Sequence, residues 1–199
     1  MQTMRFLGLF ILIAIFFSCS KDDDNLDPIS GSNALHYDGR NQSAPQIARG
    51  ISYAAVRFPQ SEVSSRGHSG KMLTGIDFYM ADEPDAVRIL VLAWNEMDET
   101  EPGGVLYEAI LQGGGFSGNQ WNRHELSQEV LLPEGGIWIA FEVQAGDRDL
   151  RVIGCDNGPH HPHGDVYGVF GDNLPGWTSL YDFTNEQVDI NWNIRAIVE

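Results

Sequence analysis

The stretch Gly136-Ile137-Trp138-Ile139-Ala140-Phe141-Glu142-Val143 decides the fold. Ile137, Ile139, Phe141 and Val143 recur at every second position, which puts them on one face of a β-strand and Trp138, Ala140 and Glu142 on the other. Just before it, Pro133-Glu134-Gly135-Gly136 has turn chemistry. Trp192, Ile194, Ala196 and Val198 repeat the alternation near the C-terminus. Working outward, short apolar runs predict further strands at 51–58, 73–80, 87–95, 105–111, 120–126 and 150–155. Residues 87–94 are apolar on both faces, which predicts a central strand. Gly, Pro, Asn and Asp punctuate the runs, as in 101–104 and 112–118. Residues 61–68 hold the one candidate helical turn. About eight short strands with regular turns predict an all-β fold, a jelly-roll β-sandwich, as a single domain over 33–199.

The N-terminus has a different composition. Phe6 to Phe17 is apolar apart from Gly8 and follows the basic Arg5. It is too short for the roughly 20 residues of a membrane-spanning helix, and it fits a secretory signal. Cys19 directly follows the small Ser18, as in a bacterial lipoprotein signal, where the cysteine is acylated; Phe16 stands where such signals usually have Leu. The expectation is a signal peptide over 1–18, lipidation at Cys19 and an acidic tether over 19–32. The tether has too few apolar residues to offset the entropy of ordering. Its Ser20 to Ser32 segment can reach ~40 Å when extended. Lys21 followed by Asp22, Asp23 and Asp24 resembles an export tag of some outer-membrane lipoproteins, which favours surface display over a plain solvated linker.

Of the 199 residues, 12 are basic and 28 acidic. Cleavage of 1–18 removes Arg5 alone, so the mature chain carries a formal charge of −17. Phosphate binding requires clustered Lys and Arg, so nucleic acid is excluded as a partner. With Cys19 acylated, Cys155 has no disulfide partner and reads as a buried small hydrophobe.

Leu35 to Gly39, Lys71-Met72-Leu73-Thr74-Gly75-Ile76-Asp77-Phe78, the 131–143 strand, Ile153 to Pro159, Gly176-Trp177-Thr178 and Asn191-Trp192-Asn193-Ile194 form an ordered set. The set resembles the jelly-roll modules of the cleaved-adhesin group, related to the adhesin domains of gingipains. The resemblance implies a sandwich with an adhesion or ligand-binding role. It departs from the group at Pro159-His160-His161-Pro162-His163-Gly164-Asp165, where such modules have a glycine-rich connector.

The resemblance also implies a structural Ca²⁺, which takes six to eight oxygen ligands. Asp38 (with Asn41), Asp156, Asn157 and Asp165 are the candidate ligands, with Asp172 and Asn173 as another option. Simple Asx-turns explain the same residues equally well. His160, His161 and His163 are the transition-metal candidates. A cupin-like enzyme would need a carboxylate a few residues on, where Tyr167, Gly168 and Val169 stand, so a solvated loop is the preferred reading. Gly115-Phe116-Ser117-Gly118-Asn119 lacks the last glycine of a nucleophile elbow, and Gln128 stands where a zincin needs its second His. Acid pairs such as Glu83/Asp85 and Asp98/Glu101 are expected by chance at this acidity. No enzyme signature survives.

Sugar rings stack on aromatic faces, and five tryptophans are candidates. Trp138 and Trp192 lie in alternating strands and are assigned to the core. Trp121 and Trp177 follow turns and are the candidate ligand contacts. The sequence therefore predicts an outer-membrane, surface-facing lipoprotein, held to the membrane by its lipid. Its jelly roll is a non-catalytic binder of an extracellular glycan or protein. The alternatives are a structural subunit of an envelope complex or a metal-dependent jelly-roll enzyme.

Overall fold

The computed structural model describes residues 33–47, 50–171, 174 and 176–199. The expected signal peptide, Cys19 and the expected tether, together with Asp172 and Asn173, lie outside the described residues. Among the described residues no helix is long and apolar enough to cross a membrane.

The strands are β1 (Ala34–Leu35), β2 (Gln46–Ile47), β3 (Gly50–Pro59), β4 (Met72–Met80), β5 (Ala86–Ala93), β6 (Val105–Gln112), β7 (Gln120–Leu131), β8 (Gly136–Gly146), β9 (Leu150–Arg151), β10 (Val166–Val169), β11 (Gly176–Ser179) and β12 (Ile194–Val198), with short helices α1 (Gln60–Ser65) and α2 (Leu180–Phe183). One antiparallel sheet runs β1-β12-β4-β7 and the other β11-β10-β3-β8-β5-β6. Set aside the small β2-β9 pair and the β10-β11 hairpin, and eight strands remain. Their spatial orders are first-eighth-third-sixth and second-seventh-fourth-fifth, which is the two-sheet order of a jelly roll.

The two sheets meet over Val56, Phe58, Ile76, Phe78, Ile89, Val91, Ile137, Ile139, Phe141 and Ile194, all fully buried. β8 and β3 pair along their whole length, from Pro59 opposite Gly136 to Gly50 opposite Gly146. Gly136 has a φ of +106°, and a Cβ there would run into the Phe58 carbonyl. Only glycine fits this start to β8.

β5 has neighbours on both sides, β8 and β6. Its second apolar face is explained by a separate cluster on the outer side of the six-stranded sheet. There Leu90 and Leu92 pack with Ala55, Trp138, Ala140 and Val166 beneath Trp94 and Trp177. Trp192 is buried between the sheets, whereas Trp138, equally buried, belongs to the outer cluster. Both tryptophans are thus buried as assigned; the pleat position of Trp138 points it outward, and neighbouring side chains cover it. Cys155 is buried, its Sγ 3.2 Å from Ser43 Oγ, and burial raises its thiol pKa.

Burial, aided by the charges of Lys71 and Arg66, lowers the pKa of His68, and burial also lowers that of His124. The unfolded chain gains protons at these sites near the ordinary histidine value of 6.5, while the folded chain still resists them. Their contribution is complete above that pH and is lost as pH falls toward the folded values. Urea midpoints should therefore drop between pH 7.5 and 5.5; a constant midpoint contradicts this.

Candidate functional site

The 159–165 loop crosses one end of the six-stranded sheet. Arg57 N on β3 donates to the His163 carbonyl at 2.9 Å, and Trp192 N donates to the Gly164 carbonyl at 2.8 Å. His161 N donates to Asn191 Oδ1 at 2.7 Å, and Asn191 Nδ2 donates to the Pro159 carbonyl at 3.0 Å. The loop is thus held by its backbone on several sides, not left solvated.

The three histidines diverge. His160 stacks on Tyr181, with ring centroids 3.9 Å apart. His161 stacks on Tyr37 at 4.1 Å, and Tyr37 stacks in turn on Phe58. His161 Nε2 and His163 Nδ1 each lie 3.6 Å from Glu62 Oε1. Glu62 is in the first turn of α1, which packs through buried Val63 and starts directly after β3. Glu62, His161 and His163 offer one ligand atom each, all within 4.8 Å of one another. Burial lowers the pKa of both His161 and His163, against an opposing pull from Glu62. The sequence places Glu62 in a helical turn, but nothing local marks it as a partner of the histidines. The fold supplies it, because β3 fastens the loop at Arg57 and then leads into α1.

Beside the loop is a cavity of about 180 Å³, lined by Arg57, Thr100, Pro162, Trp177, Ser179 and Asp182 among others. Trp177 is partly exposed. Its ring meets Trp138, Tyr53 and Phe170 edge-on, with centroids 5.4–5.8 Å apart. The Arg57 guanidinium lies 5.3 Å from the Trp138 ring centre. It donates to the Glu99 carbonyl at 2.6 Å and the Pro162 carbonyl at 3.2 Å, bridging two loops across the sheet end. The cavity combines an aromatic wall with hydroxyl, guanidinium and carboxylate groups. It is smaller than the roughly 300 Å³ of a drug-sized site, a size suited to one sugar ring and not a chain of them. Sequence reading identifies Trp177 here but misses Arg57, Thr100 and Asp182, which come from three separate segments.

Trp121 is elsewhere. It lies opposite Tyr79 on the four-stranded sheet, on the face away from the core, with the Arg195 guanidinium 4.3 Å from its ring centre. Trp177 is on the outer face of the other sheet, across β10 from Tyr53. The two candidate tryptophans therefore sit on opposite sides of the sandwich and do not share a binding surface.

The acidic calcium candidates each have hydrogen-bond partners of their own. Asp38 Oδ2 accepts from Arg195 Nη2 and Asn193 Nδ2, both at 2.7 Å, and Oδ1 faces His36 Nδ1 at 3.0 Å and Arg195 Nε at 3.1 Å. Burial acts to raise its pKa, but the hydrogen bonds from His36 and Arg195 and the Arg195 charge outweigh this and lower it. Asp156 Oδ1 accepts from Gly158 N at 2.9 Å and Asn191 N at 2.7 Å, and Oδ2 from Gly39 N at 2.9 Å. Asp165 Oδ2 accepts from Ser179 Oγ and Tyr181 N. Its Oδ1 is buried without a hydrogen-bond partner, and burial raises its pKa. Asn157 is exposed. The carboxylate oxygens of Asp38 and Asp156 are thus engaged by N–H donors, and the Arg195 guanidinium lies beside Asp38, whereas Asp165 keeps one oxygen without a donor.

No family model matches the chain, and no curated protein does. Two solved structures of Cwp84 are similar in fold. The clostridial cysteine protease Cwp84 after propeptide cleavage aligns with a TM-score of 0.56 at 11% identity, over 85% of this chain and 41% of that one. The second contains the cysteine protease and lectin-like domains of Cwp84, a surface-layer-associated protein of Clostridium difficile. It aligns with a TM-score of 0.53 at 11% identity, over 85% of this chain and 36% of that one. The chain spans less than half the length of either structure. At this identity the likeness is one of fold: the chain shares its sandwich with part of a surface-associated protein.

Proposed function

We propose that this chain is a lipid-anchored envelope protein whose jelly roll is a non-catalytic module that binds an extracellular glycan at the Trp177–Arg57 cavity. One observation carries the reading: a partly exposed tryptophan walls a monosaccharide-sized cavity whose polar side chains supply hydroxyls, a guanidinium and a carboxylate. Sugars present apolar C–H faces and a rim of hydroxyls, and this arrangement answers both. One of the two Cwp84 structures contains a lectin-like domain, which supports a binding role for a domain of similar fold. Lipidation at Cys19 and the acidic tether would hold the cavity clear of the outer membrane.

Screening the soluble domain, residues 33–199, on a glycan array tests the ligand class. Binding to a family of glycans with a common terminal sugar is the expected result. An array with no binding, together with capture of a defined envelope protein, would favour the structural-subunit alternative.

A further inference from the structure

We propose that Glu62, His161 and His163 form a Zn²⁺ site with one coordination position left open. It does not depend on the glycan reading. Zinc takes imidazole nitrogen and carboxylate oxygen at about 2.0–2.2 Å, so neighbouring ligand atoms of a tetrahedral site lie about 3.3–3.5 Å apart. The two His–Glu separations are both 3.6 Å, so small side-chain rotations close the site. Two imidazoles and one carboxylate leave a fourth vertex for water or a ligand group.

The surroundings favour a prepared site over a chance meeting. His163 Nδ1 is buried and has no hydrogen-bond partner, and Glu62 Oε1 lies 3.6 Å from it. Arg66 Nη2 lies 3.9 Å from Glu62 Oε2, which leaves Oε1 facing the histidines. The stack on Tyr37 fixes the plane of the His161 ring. One contact opposes the metal. His161 Nδ1 accepts the His163 backbone N–H at 3.2 Å, which places the metal-free proton on Nε2. Zinc displaces that proton, Nδ1 becomes the protonated nitrogen, and this weak hydrogen bond is lost. The loss costs about tenfold in affinity, less than either ligand contributes. Pro162 joins the two histidines and also lines the Trp177 cavity, so the metal would stiffen one wall of that cavity.

The test is a Zn²⁺ titration of the full chain, purified metal-free in detergent and followed by competition with a chromophoric chelator. One equivalent should bind tightly. His161→Ala and His163→Ala should each weaken it by at least the roughly 100-fold that loss of a supporting partner can cause. His160→Ala, whose ring stacks on Tyr181 outside the triad, should leave binding unchanged. Equal affinity in the parent and the double variant His161→Ala/His163→Ala overturns the proposal, as does equal loss in His160→Ala. Should the variants misfold by circular dichroism, Co²⁺ added to the unaltered chain decides. An intense visible band of a tetrahedral nitrogen–oxygen site supports the triad, and only the weak absorption of solvated cobalt overturns it.

Discussion

Replacing Asp38 with alanine is expected to lower the unfolding free energy by roughly 3–5 kcal/mol, because it strands a buried guanidinium. The Asp38 and Arg195 side chains are 0% and 2% exposed, and Nη2 and Oδ2 are 2.7 Å apart. Asp38 follows β1 and Arg195 is the second residue of β12, so the pair ties the first strand of the domain to the last. Asn193 and His36 complete the carboxylate's partners. Exposure sets the scale. The Arg148–Asp85 pair is more than half exposed on both sides, and such pairs contribute about 0–1 kcal/mol. The Asp38 contribution is fully present above the ordinary aspartate value of 3.8 and is lost as pH falls through its lower folded pKa. Urea unfolding of Asp38→Ala, and of Asp38→Ala combined with Arg195→Met, checks this. The double variant should recover part of the loss, since no unpaired charge stays buried. A single variant within about 1 kcal/mol of the parent would show that water reaches the pair.

Trp138→Ala should cost about 3–5 kcal/mol, as truncation of a core aromatic does, although Trp138 lies on the outer side of its sheet. Its ring is fully buried beneath Trp94, Trp177 and Arg57. The same change should also reduce ligand affinity, because Trp177 leans on it. Thermal melts and ligand titrations of one variant check both effects. A loss of stability with unaltered affinity would separate the cavity from the cluster beneath it.

Much of the fold is legible in the sequence, because period-two alternation reports directly on which face of a sheet is buried. The 136–143 stretch becomes β8, in the middle of its sheet, and the helical turn near 61–68 becomes α1. The misses have physical reasons. Val166–Val169 is four residues with a glycine inside, too short to show a period, and it becomes a strand only by pairing with β3. β11 and α2 are four residues each and equally too short to show a period. The 150–155 run is not one strand. Only Leu150–Arg151 forms a ladder, and beyond it Ile153 bridges Met80 while Cys155 bridges Ser43 and Trp192. Gly154 sits so close to Asn41 and Tyr79 that no side chain fits there, and the backbone changes partners around it.

The site was legible only in pieces. Trp177 and the histidines stand out by residue type, whereas Glu62, Arg57 and Asp182 are ordinary polar residues until the topology places them. The acidic candidates carried the opposite lesson: Asp38 and Asp156 look like cation ligands in sequence, but their oxygens are occupied by the protein's own donors.

Isothermal titration of the soluble domain with the best glycan from the array, in parallel with Trp177→Ala and Trp121→Ala, tests the central claim most directly. Trp177→Ala should lose about 2 kcal/mol or more of binding, roughly thirtyfold, while Trp121→Ala on the opposite sheet should bind as the parent does. Unaltered binding in Trp177→Ala would place the ligand elsewhere and contradict the account.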